Sequence, residues 1–484
     1  MKSKITAKLV FIGLTMLTAT LSSCESDSSD PQTVKDLKGW TLQAPDTVVF
    51  TELNQTVTVP YKVVDKKGRE VEASVIHLAG YTDSYTVQDD QLTISYLAFE
   101  RQAVNKTIRT YCYLNEGTVS KDIYYAFRPD LSASTPTHPH IYVEKPGTLE
   151  SYIDPNMEKE ITGLTLYGLL NTVDQIYLRK LLGAPETFEA WSAEVGMDVL
   201  DQNNNYVILP KYDDFYARVQ SQYKLSFLDI RNVVYRSVDE PDGLYFFWDY
   251  KVTDQWVKEK NLVRYLFYCC CNLKEIYLPR WYEGINSCVF DMCGRLETVH
   301  YPDKLEEYGR EITTARHFND FQYCPYIRTF DLGEQTTNYR VDEDGNLWQV
   351  DCNGLLICSK QPNRKRVDLP VGVTLFAYSA AYYPSVMDLY VHETVPAIYN
   401  NINDYSGTLN ILVSGEMNER ITFHVPQGYL EQFKARMEYQ VWSDLKIVDD
   451  VTDFVVTDSA ATKATLRATE PTITNTYRII HANE

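Results

Sequence analysis

Cysteines, a histidine pair and paired carboxylates are the residues of this sequence whose types and spacings could do chemistry. Nine cysteines lie beyond the first thirty residues: Cys112, Cys269, Cys270, Cys271, Cys288, Cys293, Cys324, Cys352 and Cys358. Cys269, Cys270 and Cys271 with Cys288 and Cys293 offer enough sulfur for a tetrahedral zinc site. An odd thiol count in an exported chain also raises disulfides or a free reactive thiol. Yet adjacent side chains point apart and rarely chelate one ion. Cys270, Cys293 and Cys324 also share one offset of an internal repeat, where a thiol would serve as a small hydrophobe. Core thiols are the preferred reading, with disulfides second and a metal third. His138 and His140 lack a further ligand at metal spacing. A Ser or Cys nucleophile needs a base and an orienting acid. The eight His are scattered, and His300, His392 and His424 fall on or beside predicted strands. No G-x-S-x-G, H-E-x-x-H, P-loop or Rossmann fingerprint occurs. Carboxylate pairs such as Glu306-Glu307 read as solvated surface rather than a glycosidase pair. These residues predict no catalytic site, no metal and no cofactor, so the expectation is a binding protein and not an enzyme.

The aromatics are the better binding candidates. The chain has 37 Tyr beside 18 Phe and 7 Trp, and tyrosine joins a large contact area to a polar tip. Trp248 and Tyr250, in Leu244–Tyr250, and Trp281 and Tyr282, after Arg280, form clusters beside loop positions. Flat rings there could stack on the apolar faces of sugars, while nearby acids and amides take the hydroxyls. Packing of an insertion or of a domain end is the competing reading, and the preferred one. The 46 Lys and Arg against 66 Asp and Glu leave a net charge of −20, which excludes nucleic-acid binding by phosphate neutralisation.

Elements to position these residues come from a repeat. Phe267, Cys270, Leu273, Ile276 and Leu278 are followed by Pro279, at offsets of 0, 3, 6, 9 and 11. The same offsets recover Phe290, Cys293, Leu296, Val299 and Tyr301, then Phe321, Cys324, Ile327, Phe330 and Leu332. A degenerate copy is Ala380, Tyr383, Val386, Leu389 and Val391. Steps of three put side chains on one face of a tight helical turn, and the closing step of two puts both residues on one face of a strand. Each unit has an apolar face it cannot bury alone, so stacked neighbours make a solenoid.

Upstream, residues 40–128 read as short strands separated by turns. They include Thr56–Val59, Tyr61–Val64, Val71–Ile76, Gln91–Tyr96, Ile108–Leu114 and Ile123–Phe127. Asp65–Gly68 is a turn signal and Asn115-Glu116-Gly117 a hairpin signal. This fits an immunoglobulin-like β-sandwich, joined by a Pro-bearing linker over 129–140. At the N-terminus Lys2, Lys4 and Lys8 precede an apolar stretch from Leu9 to Leu21, too short for a membrane span and right for a secretory signal. Leu21-Ser22-Ser23-Cys24 resembles the lipobox of bacterial lipoproteins. That resemblance implies a signal peptide over 1–23, acylation of Cys24 and a stable lipid anchor. Residues 24–39 make a flexible acidic tether. Its acidic run after Cys24 is similar to an export signal for the outer face of the outer membrane, with the periplasmic face the second choice.

The segment 141–450 resembles the BspA-type leucine-rich repeat lipoproteins. Besides the repeats, Pro146–Leu149, Ile161–Gly168 and Asp174–Arg179 resemble the segment that opens such domains, and Leu225–Ile230 its next strand. Tyr339–Leu347 is similar to the family's hairpin and Val367–Pro370 to the strand after it. His424–Lys434, with Trp442 downstream, is similar to its C-terminal cap. The periods of 23, 31 and 59 residues between copies and Ala380 in place of an aromatic depart from the pattern, so a short irregular solenoid is expected. The expected fold is multidomain and mainly β: an immunoglobulin-like β-sandwich, then an irregular leucine-rich-repeat solenoid of short strands and short helical turns. The tail 451–484 is left unassigned. The resemblance implies non-covalent adhesion to a host matrix protein, another cell surface or a glycan. The alternative is a glycan-capture lipoprotein of a polysaccharide-uptake system. No nucleic-acid partner is expected.

Overall fold

The computed structural model describes residues 37–52, 55–71, 75–78, 85–88, 91–95, 105–114, 117–184, 222–237, 241, 244–245, 251–253, 260–286, 288–308, 321, 324, 326–350, 354–357, 359, 366–369, 371–372, 375–376, 388–394, 422–436 and 446–456. Among them the chain is mainly β, in several small sheets.

Ten strands precede residue 128: β1 (Thr41–Gln43), β2 (Thr47–Phe50), β3 (Thr56–Pro60), β4 (Lys62–Val64), β5 (Glu70–Val71), β6 (Val75–Leu78), β7 (Tyr85–Gln88), β8 (Gln91–Ser95), β9 (Lys106–Leu114) and β10 (Gly117–Phe127). They form sheets of order β1-β4-β5, β2-β10-β9-β6 and β3-β8-β7. The β4–β5 turn is fixed by Asp65, whose carboxylate accepts the Lys67 and Arg69 amides, and by Gly68 at φ +76°. The β9–β10 hairpin pairs Leu114 with Gly117 across Asn115-Glu116, as the turn signal predicts. Phe50, Val63, Ile123 and Phe127 are all buried and belong to the hydrophobic core.

The remaining strands are β11 (His140–Val143), β12 (Gly163–Leu170), β13 (Phe227–Tyr235), β14 (Asn261–Leu262), β15 (Glu275–Tyr277), β16 (Gly284–Ile285), β17 (Thr298–His300), β18 (Glu307–Tyr308), β19 (Thr329–Asp331), β20 (Tyr339–Val341), β21 (Leu347–Gln349), β22 (Gly354–Ile357), β23 (Arg366–Leu369), β24 (Leu375–Phe376), β25 (Asp388–Val391), β26 (Thr422–Pro426) and β27 (Lys446–Val451). Helix α1 (Thr172–Leu181) follows β12 and α2 (Leu430–Arg436) follows β26. Strands β11-β12-β13-β15-β17-β19 make a six-stranded sheet whose pairings are all parallel. A second parallel sheet, β23-β25-β26-β27, lies further along the chain, and the antiparallel turn of β20-β21-β22 comes between them. β27 runs to Val451 and Val455 bridges to Glu393, so the start of the tail belongs to this sheet region.

Repeat positions are interior rungs. Phe267, Phe290 and Phe321 are buried and stack in file, 5.9 Å and 5.4 Å apart with planes 7° and 12° from parallel. Burying three such rings is a large apolar gain. The Cys293 thiol donates to the Phe267 carbonyl and the Cys324 thiol to the Phe290 carbonyl, each at 3.0 Å, tying one coil to the next. The backbone repeats as well. Tyr265 and Cys288, like Cys269 and Met292, are non-glycine residues with φ near +60°, each pair one 23-residue period apart. Leu389 and Val391 of the degenerate copy are buried, whereas Ala380, Tyr383 and Val386 lie outside the described residues.

Helix α1 closes one end of this stack. Asn171 caps it in a reciprocal box with Asp174. The buried Asp174 carboxylate also accepts the Gly147 and Leu149 amides. Arg179, buried, donates to the Tyr265 and Tyr268 carbonyls, and Gln175 donates to Leu266 O and accepts from the Tyr235 hydroxyl.

Candidate functional site: a duplicated ladder on two sheet faces

Side chains alternate along a strand, so the apolar rungs Leu228, Ile276, Val299 and Phe330 commit their neighbours to the opposite face of the six-stranded sheet. In register across that face stand Asp229, Tyr277, His300 and Asp331. The His300 ring lies flat on Tyr277, centroids 3.6 Å apart and planes 3° from parallel. Its Nδ1 is 2.6 Å from Asp331 Oδ2 and its Nε2 is 3.1 Å from Glu275 Oε1. From the β13 side, the Arg231 guanidinium sits 4.5 Å from the Tyr277 centroid. Asp229 grips that guanidinium at 2.6–3.1 Å, and this hydrogen bonding pushes the Arg231 pKa up despite partial burial.

The second parallel sheet carries the same arrangement. His424 lies flat on Tyr390 at 4.1 Å and 5°. Its Nδ1 is 2.8 Å from Asp450 Oδ1 and its Nε2 is 3.2 Å from Asp388 Oδ1. Arg366 covers Tyr390 from the β23 side, 3.6 Å from the centroid, and is held bidentately by Asp368. That guanidinium holds the Asp368 carboxyl below the usual carboxylate range, against burial and with help from His392. His392 bonds Asp368 Oδ1 at 2.7 Å and, through Nδ1–H, the Asp453 carbonyl at 2.9 Å. Burial pulls the His392 pKa down, but these two acceptors outweigh it and the net shift is upward.

Register makes the correspondence residue by residue. Glu275-x-Tyr277 on β15 matches Asp388-x-Tyr390 on β25, and Thr298-x-His300 on β17 matches Thr422-x-His424 on β26. Both nitrogens of His300 and His424 face carboxylates, which only accept. Sequence reasoning placed His300, His392 and His424 on or beside strands but missed the tyrosines, acids and arginines around them. The available signal was the pair of residues flanking the offset-nine rung.

Two aromatic candidates change role. Trp281 and Tyr282 are 4% and 2% exposed. Trp281 Nε1 donates to the Val233 carbonyl at 3.2 Å, and Tyr282 packs edge-on against buried Tyr235. They pack behind β13 and have no open face for a ligand, which sets aside the binding candidacy of this pair and leaves the preferred packing reading. Trp248, Tyr250 and Cys24 lie outside the described residues. His138 packs on Phe227 and over Gly163, with its Nε2 3.0 Å from Thr165 Oγ1. Burial and neighbouring His140 pull the His138 pKa down. Cys269, Cys270, Cys271, Cys288, Cys293 and Cys324 are buried and form no disulfide. Burial pushes Cys270 up to about 12 and raises Cys269 and Cys293 well above their ordinary value, so none of these three is poised as a thiolate. Among the described residues, no group of three or more His, Cys, Asp or Glu side chains is placed to hold a metal ion, and no helix is long and apolar enough to cross a membrane.

Fold and site together define a mainly β chain with two similarly furnished parallel-sheet faces. No family model matches it, and no curated protein does. Among solved structures, the crystal structure of the pneumococcal vaccine antigen PcpA is similar over 48% of this chain and 73% of its own, at 12% identity and a TM-score of 0.20.

Proposed function

We propose that this chain is a lipid-anchored surface protein that recognises a partner non-covalently. In this reading an immunoglobulin-like unit holds a leucine-rich-repeat domain away from the outer membrane, with Cys24 as the acylated residue. The supporting observation is the duplicated ladder: polar and aromatic side chains locked by neighbours before any partner arrives. Such preorganisation reduces the ordering cost of association. Lipidation would add avidity by concentrating many copies on one surface.

Two measurements test the reading. Cys24→Ala should abolish palmitate labelling and release the protein from the membrane fraction, and retained labelling would refute the anchor. Purified chain should bind immobilised matrix proteins from the host side. Silence on that panel with a positive glycan array would replace adhesion by glycan capture.

A further inference from the structure

We propose that the two ladders are two copies of one docking surface for a basic segment of a protein partner, each taking lysine or arginine side chains at its open carboxylates. This inference rests on the binding-protein reading and names the chemistry of the partner.

Interior rungs require only apolar residues, so packing does not account for the recurrence of acid-x-Tyr beside Thr-x-His on the outer faces of two separate sheets. The covering of the tyrosines then restricts the ligand. β15 lies between β13 and β17, and β25 between β23 and β26. Tyr277 therefore has Arg231 against one ring face and His300 against the other, and Tyr390 has Arg366 and His424. Neither ring has a face left for a sugar or a partner's aromatic side chain.

What stays open is carboxylate. Asp331 and Asp450 are 61% and 48% exposed, while the histidines beneath them are 17% and 12% exposed. Glu275 and Asp388 are more than a third exposed as well. The guanidinium of each ladder is already held by Asp229 or Asp368. Three carboxylates against one guanidinium leave each ladder with surplus negative charge, within a chain of net charge −20. The complement is a cation with several N–H donors, which a lysine or arginine side chain supplies and an anionic partner cannot.

The test uses the full chain and a synthetic peptide with two Lys-Arg clusters joined by a Gly-Ser spacer, with a Gln-substituted peptide as reference. Glu275→Gln with Asp331→Asn, and Asp388→Asn with Asp450→Asn, should each weaken peptide binding by roughly tenfold. Glu334→Gln with Glu343→Gln removes the same charge elsewhere and should change it less than about twofold. An equal loss in that control would reduce the effect to net charge and overturn the proposal, as would unchanged affinity in both ladder variants. A carbodiimide cross-link from peptide lysines on the unmodified chain should map to Glu275, Asp331, Asp388 and Asp450, whatever the stability of the variants. Cross-links confined to other acids would also overturn it. Matrix-protein binding that the ladder variants leave intact would sink this inference alone. If the chain binds no protein at all, the binding-protein reading falls with it.

Discussion

At the residue scale, the histidines of the two sheet faces differ in what holds them. His300 and His424 each sit between two carboxylates, whereas His392 sits between the Asp368 carboxylate and the Asp453 carbonyl. The upward shift of His392 ties stability to pH. A group raised on folding contributes fully below its unfolded value, near 6.5, and loses that contribution as pH climbs through its folded value. Asp368 acts in the opposite sense: held low by Arg366, it contributes above its unfolded value and loses that contribution only as pH falls through its lowered folded one. The thermal midpoint of the parent chain should exceed that of His392→Asn most between pH 5 and 6.5, roughly, and the gap should narrow toward about pH 8.5. A gap constant across that range would show that His392 acts by packing alone.

At the element scale, the coil is a stack of aromatic rungs joined by thiol–carbonyl hydrogen bonds, and Phe290 is its middle ring. Phe290→Ala removes both of its stacking contacts and leaves a void between Phe267 and Phe321. The expected cost is about 3–5 kcal/mol, read as a fall in the urea midpoint. A loss below about 1 kcal/mol would mean the stack collapses onto the gap. These rungs were legible in the sequence because a buried position tolerates few residue types and recurs with the coil, so Phe, Cys, Leu and Ile or Val reappear at fixed offsets. The turn at Asp65–Gly68 was legible for a related reason, since it places a side-chain acceptor and a positive-φ glycine where the turn needs them, whereas the hairpin at Asp342–Asn346 entered through the family resemblance. The ladders were not. Tyr277 and His300 are 23 residues apart in sequence, Tyr390 and His424 are 34, and an outward position carries no hydrophobic constraint to mark it. At Trp281, ring content alone does not distinguish a binding platform from a plug. Only its depth behind β13 does that.

At the scale of the whole molecule, β11 is one of the two edge strands of the six-stranded sheet, and an unpaired edge is a liability unless something covers it. The N-terminal unit packs there. Phe127 meets Tyr142 edge-on at 5.6 Å, and Asn105 ties the two by accepting the Phe127 amide and donating to the Tyr142 hydroxyl at 3.0 Å. Burial at this junction pushes the Tyr142 phenol up to about 12. Further out, Arg280 pairs with Glu52 at 2.8 Å, and Glu52 is more than half exposed. Buried residues from Leu42 through Tyr142's neighbours Ile141 and Val143 to Phe433 form one continuous core. Cooperative unfolding follows from that continuity, and the junction decides whether it holds. The exposed ion pair is worth at most about 1 kcal/mol, so Arg280→Ala should leave a single calorimetric transition. Tyr142→Ala removes the ring contact and the Asn105–Tyr142 hydrogen bond, leaving Asn105 only its longer bond to Glu144 across the junction, a loss large enough to free the N-terminal unit. Its thermogram should split into two transitions, the earlier one shifting with Phe50→Ala and the later one with Phe290→Ala. A single transition in Tyr142→Ala that both core variants move together would place the coupling elsewhere along the shared core.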